Sequence, residues 1–330
     1  MKRKISCEIV ADSIDGRGNR ITSAIFTFPR YILAELNTHR MLSKNSASSR
    51  AIPFKRMVQS VMDDPFIPIA WQKDHPGMQG TEYFTEKDLM KTPSGLKPAI
   101  EVLTNSWLTA REDAVGAAQS LNSLGLTKQL CNRVLEPFLW HRVLVTGTEW
   151  PNFFALRAHP DAEIHIAKLA DEALKAFNES TPKLLKEGEW HIPFGDNMDG
   201  YDLLFRHWTK VEHLKGESEM MQELMVRVAI ARCARVSYDN FDGTQDYEKD
   251  LELFDRLFAR NPIHASPAEH VARCMYNNEY YSNYKGTLDD YAAFEDEGFG
   301  WCRNFRGFIQ YRTLLNNDTI YNDERLDNKN

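Results

Sequence analysis

Between positions 38 and 50 the chain reads Thr38-His39-Arg40-Met41-Leu42-Ser43-Lys44-Asn45-Ser46-Ala47-Ser48-Ser49-Arg50, a dense run of polar donors. Arg40 and Arg50 stand ten residues apart with serine and asparagine between them. Guanidinium groups make paired, charge-assisted bonds to phosphate oxygens, so this segment could fold round an anion. The plainer alternative is a helix end running into a serine-rich loop, with Ser43 and Asn45 as caps. A second candidate is Arg157. Trp150, Phe154 and Arg157 are spaced i, i+4, i+7 and share one face of a helix. An arginine beside aromatic surface is partly desolvated, where its fixed charge acts more strongly on a developing anion. Its alternative is a snorkelling arginine on a core helix.

The elements that must position these groups follow from patterning. SCEIVADSI and NRITSAIFTF are strand-like and flank the turn signal Asp15-Gly16-Arg17-Gly18-Asn19, which predicts a hairpin. A helical pattern runs from Arg30 through YILAELNTHR into the polar KNSASSR. Residues 64–97, rich in proline and glycine, are expected to form an irregular surface excursion. A long helix is predicted over Pro98–Leu124, another through TKQLCNRVLEPF, then a β-branched stretch, HRVLVTGT. Pro151 suits the first turn of a helix through PNFFALR, and AEIHIAKLADEALKAF has a 3.6-residue apolar period. Residues 180–215 read as loop-rich, with helices at 217–235 and 246–260, a strand after His270 and a last helix around FRGFIQYRTLL. The expectation is α+β, mostly helical, a single domain over 1–330 with no linker.

Composition narrows the classes. Of 330 residues 42% are hydrophobic and 26% charged, the balance of a folded chain. Forty Lys+Arg against 47 Asp+Glu leave a net charge of −7, which argues against nucleic acid or an anionic membrane surface as partner. The longest apolar runs fall short of the roughly 18 residues that a membrane span needs. Glu8 and Asp12 interrupt any signal-peptide core at the start, and a cytoplasmic protein is expected. Five scattered cysteines without a C-x-x-C pair read as reduced thiols. Glycine cradles of the G-x-G-x-x-G and P-loop types are absent, as is H-E-x-x-H. His159 and His165 are six apart, a poor helical spacing for shared ligation. The acidic loop GDNMDGYD lacks a calcium-loop period and reads as a solvated turn, so no metal is expected.

The 38–50 segment resembles the signature of flavin-dependent thymidylate synthases, R-H-R-x-x-S-x-N-E-x-S-x-R, at His39, Arg40, Ser43, Asn45, Ser48 and Arg50. Thr38 stands in place of the first arginine and Ser46 in place of the glutamate. RVLEP (Arg133 to Pro137) resembles the family's arginine-to-Leu-Pro segment, and NFFALR (Asn152 to Arg157) its N-F-L-x-L-R helix. The upstream N-A-R of that helix is Thr146-Gly147-Thr148 here. CARVSY (Cys233 to Tyr238) and IHASPAEH (Ile263 to His270) resemble A-A-R-V-S-Y and H-x-S-P-F-E-H, which in the family precede the R-H-R signature. Circular permutation, with 226–330 carrying the displaced segment, accounts for their late position. FRGFIQYR resembles a second copy of the strand-to-helix that leads into R-H-R. The resemblance leaves out 51–97 and 180–225, expected as excursions, and is closest to bacteriophage versions.

That resemblance implies a fold with a central mixed or antiparallel sheet and an enzyme that methylates dUMP reductively. Methylenetetrahydrofolate would give the carbon, FAD the hydride and NADPH the recharging electrons. It implies that Ser48, Arg50 and Arg133 bind dUMP, that Arg157 stabilises charge on the uracil, and that His39, Arg40, Asn45, Asn152, His264 and Ser266 hold FAD. Arg40, Arg50, Arg133 and Arg157 would then surround one pocket. No cysteine follows a proline, unlike the nucleophile of classical thymidylate synthases. Family members are usually homotetramers, and this chain is expected to be one. Two other readings stay open: a flavin-dependent pyrimidine-nucleotide hydroxymethylase, in which water captures the methylene adduct, and a non-catalytic nucleotide-binding relative. Charges at Arg303, Arg306 or Arg312 would be positioned to replace missing ones.

Overall fold

A computed structural model of the chain describes residues 2–77, 80–236, 246–259, 263–282 and 298–315. The predicted hairpin forms: β1 (Ser6–Asp15) and β2 (Arg20–Pro29) pair antiparallel, with a bulge between Ile9 and Ala11. Asp15 closes the turn by accepting from the backbone N–H groups of Arg17 and Asn19, and Gly18 takes a φ of +91° that side chains disfavour.

The sheet extends through β3 (Ser43–Ser46), β4 (Trp140–Gly147) and β5 (Lys183–Leu185) in the order β3-β4-β2-β1-β5. All pairs are antiparallel except β1 with β5, so the sheet is mixed. Helices α5 (Trp150–Arg157) and α6 (Ile164–Glu179) cover one face, burying Phe26, Phe28, Val143, Val145, Trp150, Phe153, Ile166 and Leu169 together. The Glu163 carboxylate caps α6 by accepting from His165 and Ile166 N–H. On the other face Ile25 and Leu144 pack against Cys233 and Val236 of α8 (Glu217–Val236). That helix is buried on nearly all sides over its last three turns, which is why its apolar residues run without a clear stripe.

α9 (Tyr247–Phe258) packs on α8 through a buried ion cluster. Asp250, fully buried, lies 3.2 Å from Arg232 Nε and 2.9 Å from Arg235 Nη2. Burial raises its pKa against the pull of Arg235 and Arg232. Asp250→Ala would strand two arginines, and an expected loss of about 3–5 kcal/mol follows, read as a lower urea midpoint. A loss under about 1 kcal/mol would mean that solvent already screens the pair.

A second, antiparallel sheet joins β6 (Trp190–His191), β7 (Ala272–Cys274) and β8 (Phe308–Gln310) in the order β8-β7-β6. Here the predicted terminal helix is corrected. Phe305–Arg306 and Phe308–Gln310 are strands, and only Tyr311–Leu314 coils, as a 3-10 turn. Gly307 breaks the helix at φ +80°, and a Cβ there would sit 2.6 Å from Asp15 Oδ2, so the backbone closes directly on the β1–β2 turn. The helical pattern at 30–39 likewise shrinks to a 3-10 turn and α1 (Leu33–Asn37). The excursions carry structure of their own: α2 (Phe54–Asp63), a hairpin of Leu89–Thr92 with Gly95–Pro98 that leads into α3 (Ala99–Ser123) and α4 (Lys128–Val134), and, between 180 and 225, α7 (Gly200–His207), capped by Asp199 of the acidic loop.

The two sheets are stitched by a buried chain of hydroxyls and imidazoles. Ser13 Oγ meets His191 Nδ1 at 2.9 Å, and His191 Nε2 meets Ser23 Oγ at 2.8 Å. Ser23 Oγ contacts Thr146 Oγ1 at 2.6 Å, which contacts His270 Nδ1 at 2.8 Å.

Candidate functional site

The serine-rich segment is an edge strand that runs on through Ala47 and Ser48 into a turn at residues 49–51, with no helix for Ser43 or Asn45 to cap. Ser43–Ser46 pairs with Val143–Thr146 of β4, and Ala47 N–H continues the ladder to the Arg142 carbonyl. Serine and asparagine compete poorly as helix formers and are here held by a neighbouring strand. Asn45, buried, donates from Nδ2 to the Cys233 carbonyl at 2.7 Å, which pins β3 to α8. Two segments singled out by resemblance therefore touch across 188 positions; of CARVSY, residues 237–238 lie outside the described residues.

From β3 to Arg50 the chain walls an open cleft of about 680 Å³. Lys44, Asn45, Ser46, Ser48 and Arg50 line one side, Thr127, Lys128 and Gln129 another, and His264 reaches it from the late segment. Ser48 Oγ accepts from the Arg50 N–H, and His264 Nε2 lies 3.2 Å from Ser266 Oγ. An adjoining cleft of about 530 Å³ shares Lys44 as a wall and is lined by Arg40, Ser43, Glu269, Arg303, Asn304 and Gln310. Lys44 Nζ donates to the carbonyls of His39 and Leu42. Burial pulls its pKa down to about 8, opposed by Glu269.

Beside these clefts Arg157 is clamped. Its Nε donates to His39 Nε2 at 2.9 Å and its Nη2 to Thr38 Oγ1 at 3.0 Å. The buried His39 ring stands edge-on to Phe153, with centroids 5.0 Å apart. Burial, then Arg157 and Lys44, hold its pKa at about 4, so at neutral pH His39 is an uncharged acceptor carrying its proton on Nδ1. Thr38, one of the departures from the signature, takes part in this clamp as an acceptor. Trp150 stacks on Phe154 as the shared helical face predicts, with centroids 5.8 Å apart.

The four arginines do not surround one pocket of the chain, which corrects that expectation. Arg50 and Arg40 line the two neighbouring clefts, whereas Arg157, bound to His39, and the exposed Arg133 and Asn152 line neither. Near Arg133, the Glu136 carboxylate is taken by Arg30 Nη2 at 3.4 Å. Of the remaining departures, Thr146 belongs to the buried chain, while Thr148 Oγ1 accepts from the Arg306 N–H at 3.1 Å.

Sequence reasoning passed over Lys44, Asn304 and Gln310. Asn304 Nδ2 donates to the Met41 carbonyl at 3.0 Å and to Ser43 Oγ at 3.1 Å, and Gln310 Nε2 donates to Asn304 Oδ1 at 2.6 Å. Of the three only Gln310 lies in FRGFIQYR, whose likeness to the strand before the signature was its one advance sign. Among the guessed replacement charges, Arg303 lines the second cleft, whereas Arg312 pairs with Glu269. Among the described residues no three His, Cys, Asp or Glu side chains cluster as a metal site, and no helix is long and apolar enough to cross a membrane. Burial pushes the Cys7 thiol up to about 12 and that of Cys274 to about 11, and also raises Cys233, which makes all three poor nucleophiles.

Comparisons with known proteins put this geometry in context. None of the curated proteins matches the chain. Among solved structures it is similar to the UMP/dUMP methylase PolB from Streptomyces cacaoi bound with 5-Br UMP, at 15% identity and a TM-score of 0.41, over 54% of this chain and 90% of that one. The same enzyme bound with 5-Br dUMP gives 14% identity, a TM-score of 0.41, and coverage of 54% and 92%. The family model described as thymidylate synthase complementing protein matches residues 19–183, half of the chain, and spans the hairpin's second strand, the 38–50 segment, α5 and α6. The chain belongs to the thymidylate synthase complementing protein family.

Proposed function

We propose that the chain is a flavin-dependent thymidylate synthase that converts dUMP to dTMP with methylenetetrahydrofolate as carbon donor and NADPH as reductant. The observation that carries this reading is the 38–50 segment in a chain of this family: it walls two adjoining clefts and, through His39 and Thr38, holds Arg157 beside them.

The donor set fits an anionic dinucleotide. Arg40, Lys44 and Arg50 supply charge, and Ser48, Asn304 and His264 supply hydrogen bonds, in a chain whose net charge is −7. FAD, when bound, supplies the hydride that reduces the transferred methylene. Arg40, His264 and Ser266 would hold it, with Asn45 fixing the strand and His39 the arginine. Ser48 and Arg50 would take the dUMP phosphate. Arg157 spends Nε and Nη2 on its clamp and leaves Nη1 to face the uracil ring, where charge develops as C5 gains its carbon and loses its proton. Arg133 and Asn152, which line neither cleft of their own chain, would serve a second copy in a homotetramer.

A second reading is favoured by Thr146 and Thr148, whose hydroxyls are spent within the fold. Fewer flavin contacts would suit a hydroxymethylase or a non-catalytic nucleotide binder. An absorbance spectrum followed by anaerobic addition of dUMP, methylenetetrahydrofolate and NADPH separates them. Flavin bands near about 375 and 450 nm with a methylated product are expected. A hydroxymethylated product, or preference for dCMP, would replace the synthase reading, and no flavin after reconstitution would end the enzyme assignment.

A further inference from the structure

Two side-chain amides in the wall of the second cleft are locked in orientation by the fold. The Met41 carbonyl can only accept, so the Asn304 atom 3.0 Å from it is Nδ2, and the other end of that amide is Oδ1. Gln310 meets Asn304 Oδ1 at 2.6 Å and must do so with Nε2. The same nitrogen lies 3.4 Å from Ser43 Oγ. Reversing either amide would set two oxygens face to face, Asn304 Oδ1 against the Met41 carbonyl or Gln310 Oε1 against Oδ1.

This relay leaves one end of Gln310 unspent. Its backbone is fixed in β8 opposite Ala272 of β7, and the residue is only 1% exposed, yet it lines the cleft. Its Oε1 accepts no hydrogen bond from the described residues. Other acceptors in the same wall are engaged: Glu269 pairs with Arg312, Asn304 Oδ1 takes the Gln310 amide, and Ser43 Oγ faces both amide nitrogens. Lys44, also in the wall, gives two N–H bonds to the carbonyls of His39 and Leu42, and an ammonium has a third. The cleft therefore offers an acceptor of fixed polarity together with a donor.

We infer that Gln310 is a specificity-determining residue, whose Oε1 accepts from the ring N–H of an imide, and that Asn304 is the positioning residue that keeps it turned that way. An imide edge is an N–H between two carbonyls, and Lys44 is the donor for one of those carbonyls. The uracil base and the pyrimidine ring of a flavin both carry such an edge. The inference deepens the proposed function and rests on it for the identity of these ligands. A hydroxyl turns to meet either end of an amide, so a locked amide discriminates little among hydroxyls. An imide N–H cannot reverse, and a ring nitrogen without hydrogen, as in cytosine, would set its lone pair against Oε1.

The test is calorimetry on the full chain as wild type, Gln310→Met and Asn304→Ala. dUMP and its N3-methyl analogue are titrated into the protein as purified, FAD and its N3-methyl analogue into protein stripped of bound flavin. In wild type, methylation of the ligand whose ring enters the cleft is expected to weaken it at least about tenfold. In Gln310→Met that ratio should fall to within about threefold, and in Asn304→Ala it should fall as well, because the glutamine amide is then free to turn. A ratio of affinities is not moved by a general loosening of the fold, and half-buried Asn304 gives a second variant should Gln310→Met fold poorly. A fall confined to the dUMP pair places the base in this cleft, and one confined to the FAD pair places the flavin ring there. Ratios unchanged in both variants for both ligands would overturn the inference while leaving the proposed function standing. Failure of both dUMP and FAD to bind wild type would overturn the proposed function and this inference with it.

Discussion

Replacing Arg157 by lysine is expected to lower kcat for dTMP formation by about 10²–10³-fold, with little change in KM for dUMP. The guanidinium is held at two nitrogens, by neutral His39 and by Thr38, so its remaining face has a fixed direction. A lysine ammonium is one rotating point charge and cannot keep both bonds while presenting a third. The dUMP phosphate would be held elsewhere, at Ser48 and Arg50, so ground-state binding survives. His39→Phe keeps the ring against Phe153 but removes the acceptor, and should lower kcat less, by about tenfold, as a lost positioning contact does. Steady-state rates with flavin content measured in parallel decide the matter. Arg157→Lys within about fivefold of wild type, or a change confined to KM, would remove Arg157 from the charge-stabilising role.

This arrangement was legible only where local chemistry dictates it. The β1–β2 turn carries its own closing carboxylate at Asp15, and α6 has an apolar period and a capping Glu163, so both elements follow from short stretches of chain. The Trp150–Phe154 stack followed from spacing along one helix. What escaped depends on distant partners. Phe308–Gln310 has helix-compatible residues, yet it becomes a strand because β7 pairs with it and because Gly307 closes on Asp15 and Asn19. The pairing of Glu136 with Arg30, over a hundred positions away, likewise depends on the fold. The 38–50 segment was marked as the place of interest by its run of polar donors. Its form as an edge strand was hidden because β4 supplies the pairing and Asn45 the tie to α8.

Acid should unfold the protein with a midpoint near about pH 5, above the usual carboxylate range. Four buried histidines are held neutral: His39 has a pKa of about 4, and His141, His191 and His270 about 3. Burial is the leading cause for all four; Arg157 and Lys44 add to it at His39 and Arg30 at His141. In an unfolded chain each would take a proton near pH 6.5. Below that value the unfolded state binds protons that the native state refuses. Stability is therefore complete above about pH 6.5 and falls as pH drops toward the folded values. At pH 5 each imidazole costs about 2 kcal/mol, and four together reach about 8 kcal/mol, comparable with the whole stability of a domain. His191 and His270 also belong to the hydroxyl chain that joins the two sheets, so protonation there loosens the contact that brings the late segment to the cleft. Tryptophan fluorescence and circular dichroism followed from pH 8 to pH 3 measure the midpoint. His270→Gln removes one titrating group while keeping an amide to meet Thr146, and should move the midpoint downward. A native signal that persists at pH 4, with no shift in His270→Gln, would mean that these imidazoles accept protons within the folded state.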